Sequence, residues 1–191
     1  LTSFIFILIL APLTGLAGGF FRRFFQWAEK NQTKSKSILW QLPAIALMTG
    51  LVAYFFPEIM GNGRSLAQFA INSQQMHLVV VLVCGALLKV IITVLTIRAG
   101  AAGGTLTPSI AVGSALGAVL VLLLNFFLPG VSVGQGAILG AGTLLAASQQ
   151  APFMAMFMLI EITHLNYSAL LPLALGIIIS SAVSRKVLSK S

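Results

Sequence analysis

The sequence predicts an all-α, polytopic membrane protein, and three observations carry that prediction. Of its 191 residues, 58% are apolar and 7% are charged. A water-soluble domain carries roughly a quarter charged residues, so this surface is made for hydrocarbon. The apolar residues also gather into long runs, at 2–21, 38–56, 78–97 and 110–128. Each approaches the roughly 20 residues that a membrane helix needs. Finally, the net charge of +8 sits at segment ends, in Arg22, Arg23, Lys30, Lys34 and Lys36 and again in Arg185, Lys186 and Lys190. Lys and Arg flanking membrane helices mark cytoplasmic loops, so both groups read as inside and an even number of crossings separates them. Nucleic-acid binding is excluded, because no basic stripe interleaves with polar surface.

Shorter apolar runs at 137–147, 153–160 and 169–183 complete the pattern, and two of them are too short to span upright. A mixture of full and partial segments suits a transporter with broken helices better than a simple bundle. The first helix is expected from about Thr2 to Lys30, with Gly15, Ala17, Gly18 and Gly19 allowing close approach of another backbone. A basic loop at 31–37 leads to a second helix that ends at Pro57. Two glycines and the proline in Pro57-Glu58-Ile59-Met60-Gly61-Asn62-Gly63-Arg64 forbid regular helix there. A short amphipathic piece over 65–71 precedes a third long helix, 77–97, with Lys89 in its interior. The chain breaks over 98–104 and restarts at Thr105 or Leu106, with Pro108 in the tolerated first turn. Gly113 and Gly117, four apart, form a packing face, and segments over 132–148, 151–163 and 168–186 follow. Cys84 lacks a disulfide partner. The opening run is no signal peptide, since no basic leader or cleavage site accompanies it. A start at Leu1, inside an apolar run, gives the expectation that the sequence begins in mid-protein.

Chemistry is sought where polar or broken backbone enters hydrocarbon, because unsatisfied amides there cost several kcal/mol each. Residues 100–109 meet that description. A glycine-rich stretch leads straight into a helix N-terminus, whose free N–H groups and positive dipole end converge on one spot and suit an anion. Gly103 and Gly104 leave room for an ion at the backbone. Thr105 and Thr107 offer hydroxyls, one of which is equally suited to capping the helix. A tight interhelical turn with glycines for packing is the plain alternative. Lys89 and Glu161 are ionisable groups inside apolar helices and need a partner or water. For Lys89 a structural ion pair outweighs ion binding, and for Glu161 a structural hydrogen bond outweighs proton transfer. His77 and His164 read as boundary residues. The chain has no Asp, so paired-carboxylate or metal chemistry has almost no material.

Gly103-Gly104-Thr105-Leu106-Thr107-Pro108-Ser109, followed by Gly113 and Gly117, resembles the GGxFxPxxxxG motif of the chloride channel (CLC) family of channels and proton-coupled exchangers. Pro57-Glu58-Ile59-Met60-Gly61-Asn62-Gly63 is similar to that family's PEIxGxG turn. Lys89 and Thr93-Val94-Leu95-Thr96 match its K-x-x-x-T-x-L-T pattern. Gly142-Thr143-Leu144-Leu145-Ala146-Ala147-Ser148, with Ala151-Pro152 and Glu161-Ile162-Thr163, resembles its GAxxLAAxxxAPLTxxxLxxEMT stretch. Order and spacing agree over nearly the whole chain.

The resemblance implies a fold of two inverted repeats meeting at an anion site, of which residues 1–191 are the second, with tilted and partly spanning helices. It implies backbone coordination of chloride or a similar anion at Thr105 and Leu106, with Gly103 and Gly104 shaping the approach and Thr107 beside them. The family has Phe where Leu106 stands, so selectivity or conduction is open to change. Arg98-Ala99-Gly100-Ala101-Ala102 replaces the commoner GSGxxG. Arg98 either attracts ions or is a cytoplasm-facing or paired arginine, the two readings standing level. The serine loop and the gating-glutamate loop of the first repeat are not found here. The family's anion-coordinating tyrosine is also missing, and neither Tyr54 nor Tyr167 occupies its place.

The expected protein is therefore a multi-pass plasma-membrane domain of seven or eight helices, with residues 22–36 and the C-terminus cytoplasmic. Its expected partners are the anion, the bilayer, the first-repeat half, and a second copy meeting it through helices over 151–183. The anion is substrate, and neither cofactor nor enzymatic activity is expected. Two readings compete: a fragment that does not transport without its partner half, and an unrelated secondary transporter for organic substrates.

Overall fold

Helix α6 (Val133–Gln149) is the axis of the molecule, and it is made almost wholly of small and aliphatic residues. Every residue from Gly140 to Ser148 is buried. Only a helix that is apolar all round can be packed on every side. A capping box starts it: the Ser132 hydroxyl accepts from the Gln135 amide at 3.2 Å, and the Ser132 amide donates to the Gln135 side chain at 3.2 Å. Gln150 ends it in the left-handed conformation, at φ 57°.

The other helices follow from the same apolar runs. They are α1 (Thr2–Lys30), α2 (Ile38–Phe55), α3 (Arg64–Asn72), α4 (Leu78–Arg98), α5 (Leu106–Leu124), α7 (Pro152–Thr163) and α8 (Leu170–Leu188). A single 3₁₀ turn, Pro57–Ile59, lies between α2 and α3, where the glycines and proline exclude longer helix. The computed structural model describes residues 2–61, 63–73, 75–125, 127, 130–163 and 169–189, and among these it contains no strand. His164 and Tyr167 lie outside the described residues.

Five helices, α1, α2, α4, α5 and α8, are long and apolar enough to cross a membrane. The run expected at 169–183 is thus longer than its apolar stretch suggests. Its helix carries on through Ser184, Arg185 and Lys186 to Leu188, and the buried Ser180 and Ser184 on its inner face donate to carbonyls of α6. The helix at 152–163 is short, as its run predicts.

Packing around α6 rests on small residues. The α5–α6 pair is the most extensive in the molecule. Gly113 lies against the Gly140 carbonyl and Gly117 against that of Gly136, so closely that a methyl group at either would overlap the facing backbone. One position rises as the other falls, which defines an antiparallel register. On the opposite side, α1 and α8 close over α6. A methyl at Gly15 would stand 2.7 Å from the Ser180 carbonyl, and one at Gly18 2.5 Å from the Ala147 Cβ. Between apolar helices in lipid there is little hydrophobic drive to associate, so close packing and interhelical hydrogen bonds hold them. Such bonds are present: Ser180 donates to the Thr143 carbonyl at 2.9 Å, and Ser184, one turn on, to that of Ala147 at 2.8 Å. Two apolar clusters flank this axis, one joining α1, α5, α6, α7 and α8, the other α1, α3, α4, α5 and α6. Helix α2 stands apart, touching α4 and the 3₁₀ turn, with only Ala53 buried.

Both basic groups lie at one end of the molecule. Arg22 donates to the Ser148 carbonyl at 2.9 Å, in the last turn of α6, and Arg23 donates to the Val187 carbonyl, in the last turn of α8. These are the carbonyls a helix leaves unsatisfied at its negative end, so each arginine both caps and neutralises a terminus. The common end agrees with the even number of crossings expected from charge.

The glycine seam makes a direct prediction. Gly117→Ala forces α5 off α6 and lowers stability by about 1–3 kcal/mol, as overpacking does. Gly50→Ala, on α2 where nothing lies within 4 Å, causes no loss. Thermal unfolding of both variants in detergent separates them.

A candidate anion site at the start of α5

Helix α4 ends at Arg98, and Gly100 turns the chain away at φ 108°. The backbone then runs exposed through Gly103 and Gly104, where added side chains would meet nothing within 4 Å. Thr105 is the N-cap of α5, at φ −96° and ψ −5°, with Leu106, Thr107 and Pro108 as its first turn. The Ser109 amide donates to the Thr105 carbonyl at 3.1 Å, the first intrahelical bond. Pro108 has no N–H to offer. That leaves the amides of Thr105, Leu106 and Thr107, which find no acceptor among the described residues. Three donors thus stand unused at the positive end of a 19-residue helix.

Of these residues, Thr105 lines a separate polar pocket, whereas Leu106 and Thr107 border a groove of about 880 Å³ between α2, α4 and α5. Gly103, Gly104, Leu106 and Thr107 line it on one side, and Lys89, Thr93 and Thr96 of α4 on the other. The hydroxyls of Thr93 and Thr96 both donate to carbonyls of their own helix at 2.7 Å, so neither is free to donate into the groove. The Thr107 hydroxyl has no such partner among the described residues, and it lines both this groove and a second one of about 600 Å³ beside α3, α6 and α7. The Leu106 side chain leans on the cluster around α6.

Lys89 is 4% exposed and forms no ion pair among the described residues. Its ammonium donates to the carbonyls of Ile59 at 3.0 Å and Gly61 at 2.5 Å. Those groups come from the turn between α2 and α3, whose glycines and proline leave carbonyls unused by helix. The ammonium is therefore solvated by neutral dipoles and not by a carboxylate. A methyl at Gly63 would stand 3.3 Å from the Lys89 Cε and 3.4 Å from the Thr107 carbonyl. Lys89 and the first turn of α5 are separated by little more than that glycine.

The remaining sequence candidates fall elsewhere. The Arg98 guanidinium lies 5.1 Å from the Trp27 ring centre, a cation–π contact, and lines a separate crevice with Asn31, Thr33 and Gln41. Glu161 is exposed on α7, lines neither groove at α5, and makes no hydrogen bond among the described residues. The structural hydrogen bond expected of it is not formed there.

Two residues outside the sequence candidates adjoin Thr105. Gln149, the last residue of α6, donates its side-chain N–H to the Thr105 hydroxyl at 3.0 Å. Arg22 lines a polar pocket of about 170 Å³ together with Gln26, Glu29, Thr105 and Gln149. A trace of this was legible, because positions 22, 26 and 29 share one face of α1. For Gln149 the sequence held only a polar pair at the end of an apolar run, with nothing to say what it meets.

Comparison with known proteins agrees with this architecture. Residues 1–185 match the family described as voltage gated chloride channel. The chain is 31% identical over 182 residues to the voltage-gated ClC-type chloride channel ClcB of Salmonella typhimurium, a match covering 90% of this chain and 42% of that protein. It is 32% identical over 151 residues to the ClcB of Escherichia coli O81, covering 76% of this chain and 35% of that one. A crystal structure of a CLC-type fluoride/proton antiporter superposes with a TM-score of 0.76 at 23% identity, over 97% of this chain and 45% of the other. The chain thus spans less than half the length of the relatives it matches. Helix order, the glycine-led start of α5 and these matches together make the chain a member of the voltage-gated chloride channel family.

Proposed function

We propose that this protein carries chloride or a similar small anion across the membrane, passively or in exchange for protons, and that the anion rests on the amides of Thr105, Leu106 and Thr107. The observation that carries this reading is the set of three unbonded N–H groups at the positive end of α5, two of them, on Leu106 and Thr107, in residues that line a groove shared with the buried Lys89. An anion there gains hydrogen bonds that no protein group supplies, in surroundings where such bonds are strong. Gly103 and Gly104 admit it to the backbone. Lys89 directs a cationic group toward the groove without binding the ion directly, since two of its three N–H groups serve carbonyls.

The chain is read as the second inverted repeat of the transport domain, and the extent of its relatives supports a partner half. The unrelated-transporter reading lapses with family membership. The fragment reading makes its own forecast: liposomes holding only these residues leak no chloride. Exposed apolar side chains on α7 and α8, among them Phe153, Phe157, Leu171 and Ile178, suit a second copy packed through those helices. The basic end is assigned to the cytoplasm of a plasma-membrane protein, because loops rich in Lys and Arg stay inside.

Two measurements test the site. Replacing Leu106 by its α-hydroxy analogue converts one amide to an ester, deletes a single N–H that the helix does not use, and weakens the Thr105 carbonyl that accepts from Ser109. Chloride affinity of the intact protein falls about tenfold, the worth of one hydrogen bond to an ion, while the melting temperature drops only slightly. Unchanged affinity rejects amide coordination. Lys89→Met strands the carbonyls of Ile59 and Gly61, costing about 1–3 kcal/mol of stability, and also removes the charge. Flux then drops well below that of Lys89→Arg, which keeps the charge. Equal flux in the two variants removes Lys89 from the electrostatics of the path.

A further inference from the structure

We infer that Gln149 is a positioning residue for the anion site: it holds the Thr105 hydroxyl so that the amides of α5's first turn stay free for the ion. The inference rests on the anion reading above.

Threonine at an N-cap ordinarily turns its hydroxyl onto the amide of the second or third helical residue. In α5 the third is Pro108, which has none, so the Thr107 amide is the one target left. Thr105 makes no such bond: its backbone stands in the helical region at φ −96° and ψ −5°, whereas the capping Ser132 of α6 is extended at ψ 151°. The Thr105 hydroxyl instead accepts from Gln149 at 3.0 Å. A hydroxyl turned onto Thr107 would occupy one of the three donors, in competition with an anion.

Gln149 is well held for this task. It is the last residue of α6, just before the left-handed Gln150. The facing pairs 113/140 and 117/136 set an antiparallel register whose continuation brings position 148, next to Gln149, to position 105. Gln150 fastens the same end to α8, donating to the Ala147 carbonyl at 2.7 Å and the Ser184 hydroxyl at 3.0 Å. Arg22 fastens it to α1 through the Ser148 carbonyl at 2.9 Å. The donor on Thr105 therefore comes from a braced helix end.

Halide affinity, measured by calorimetry on the intact protein in detergent, tests the inference with chloride as the probe. Gln149→Leu frees the hydroxyl to cap Thr107 and weakens chloride binding about five- to tenfold. Adding Thr105→Val to it removes the competing hydroxyl and recovers at least half of that loss. A purely structural role for Gln149 predicts no recovery, because the double variant has lost more contacts. Should Gln149→Leu not fold, Gln149→Ala is read in the same way. Chloride affinity in the single variant equal to the original, or a double variant as weak as the single, overturns the inference. An unsubstituted protein that binds no halide overturns the anion reading itself, and this inference with it.

Discussion

The structure depends first on the contact of α5 with α6 through facing glycines. Gly113 and Gly117 meet Gly140 and Gly136 backbone to backbone, and this contact leaves no room for a side chain. In a bilayer, where apolar surface gains little by being covered, such closeness is what dispersion and small-residue packing can exploit. It also fixes one helix along the other. That register brings the end of α6 to the start of α5, and so decides which polar residue stands beside the three open amides.

Around that pair, polar groups are spent on helix ends and on helix-to-helix ties. Arg22 and Arg23 cap α6 and α8, while Ser180 and Ser184 tie α8 to the carbonyls of α6. At the start of α5 the first-turn donors are left open. Pro108 removes one potential donor, and the Thr105 hydroxyl meets Gln149 instead of an amide of its own helix. This open terminus coincides with a groove and a buried lysine.

Lys89 illustrates how a cationic side chain is buried in such a place. No carboxylate pairs with it among the described residues, and the chain contains no Asp and three Glu in all. The broken turn over 57–61 supplies carbonyl oxygens instead. Two irregular segments, one in front of α3 and one in front of α5, thereby act on the same groove. One shows its carbonyls to the lysine and the other leaves its amides open.

Much of this was legible in the order of residues. Apolar runs determined the helices and their number, since length and hydropathy alone decide what spans a bilayer. Glycine and proline determined where helix fails, because backbone sterics act locally, and the anion-suited terminus at Thr105 followed from that break. Charge at run ends determined that the two basic groups share a side. The partners of single polar groups were not legible. That Lys89 meets carbonyls instead of a carboxylate, that Arg98 stacks on Trp27, that Glu161 stays on an outer face, and that Gln149 reaches Thr105 were decided by tertiary structure. Each contact joins positions far apart in the chain, and its distance is set by how closely two helices approach and in what register. A sequence states that a polar group needs a partner, but only packing determines which one comes within reach.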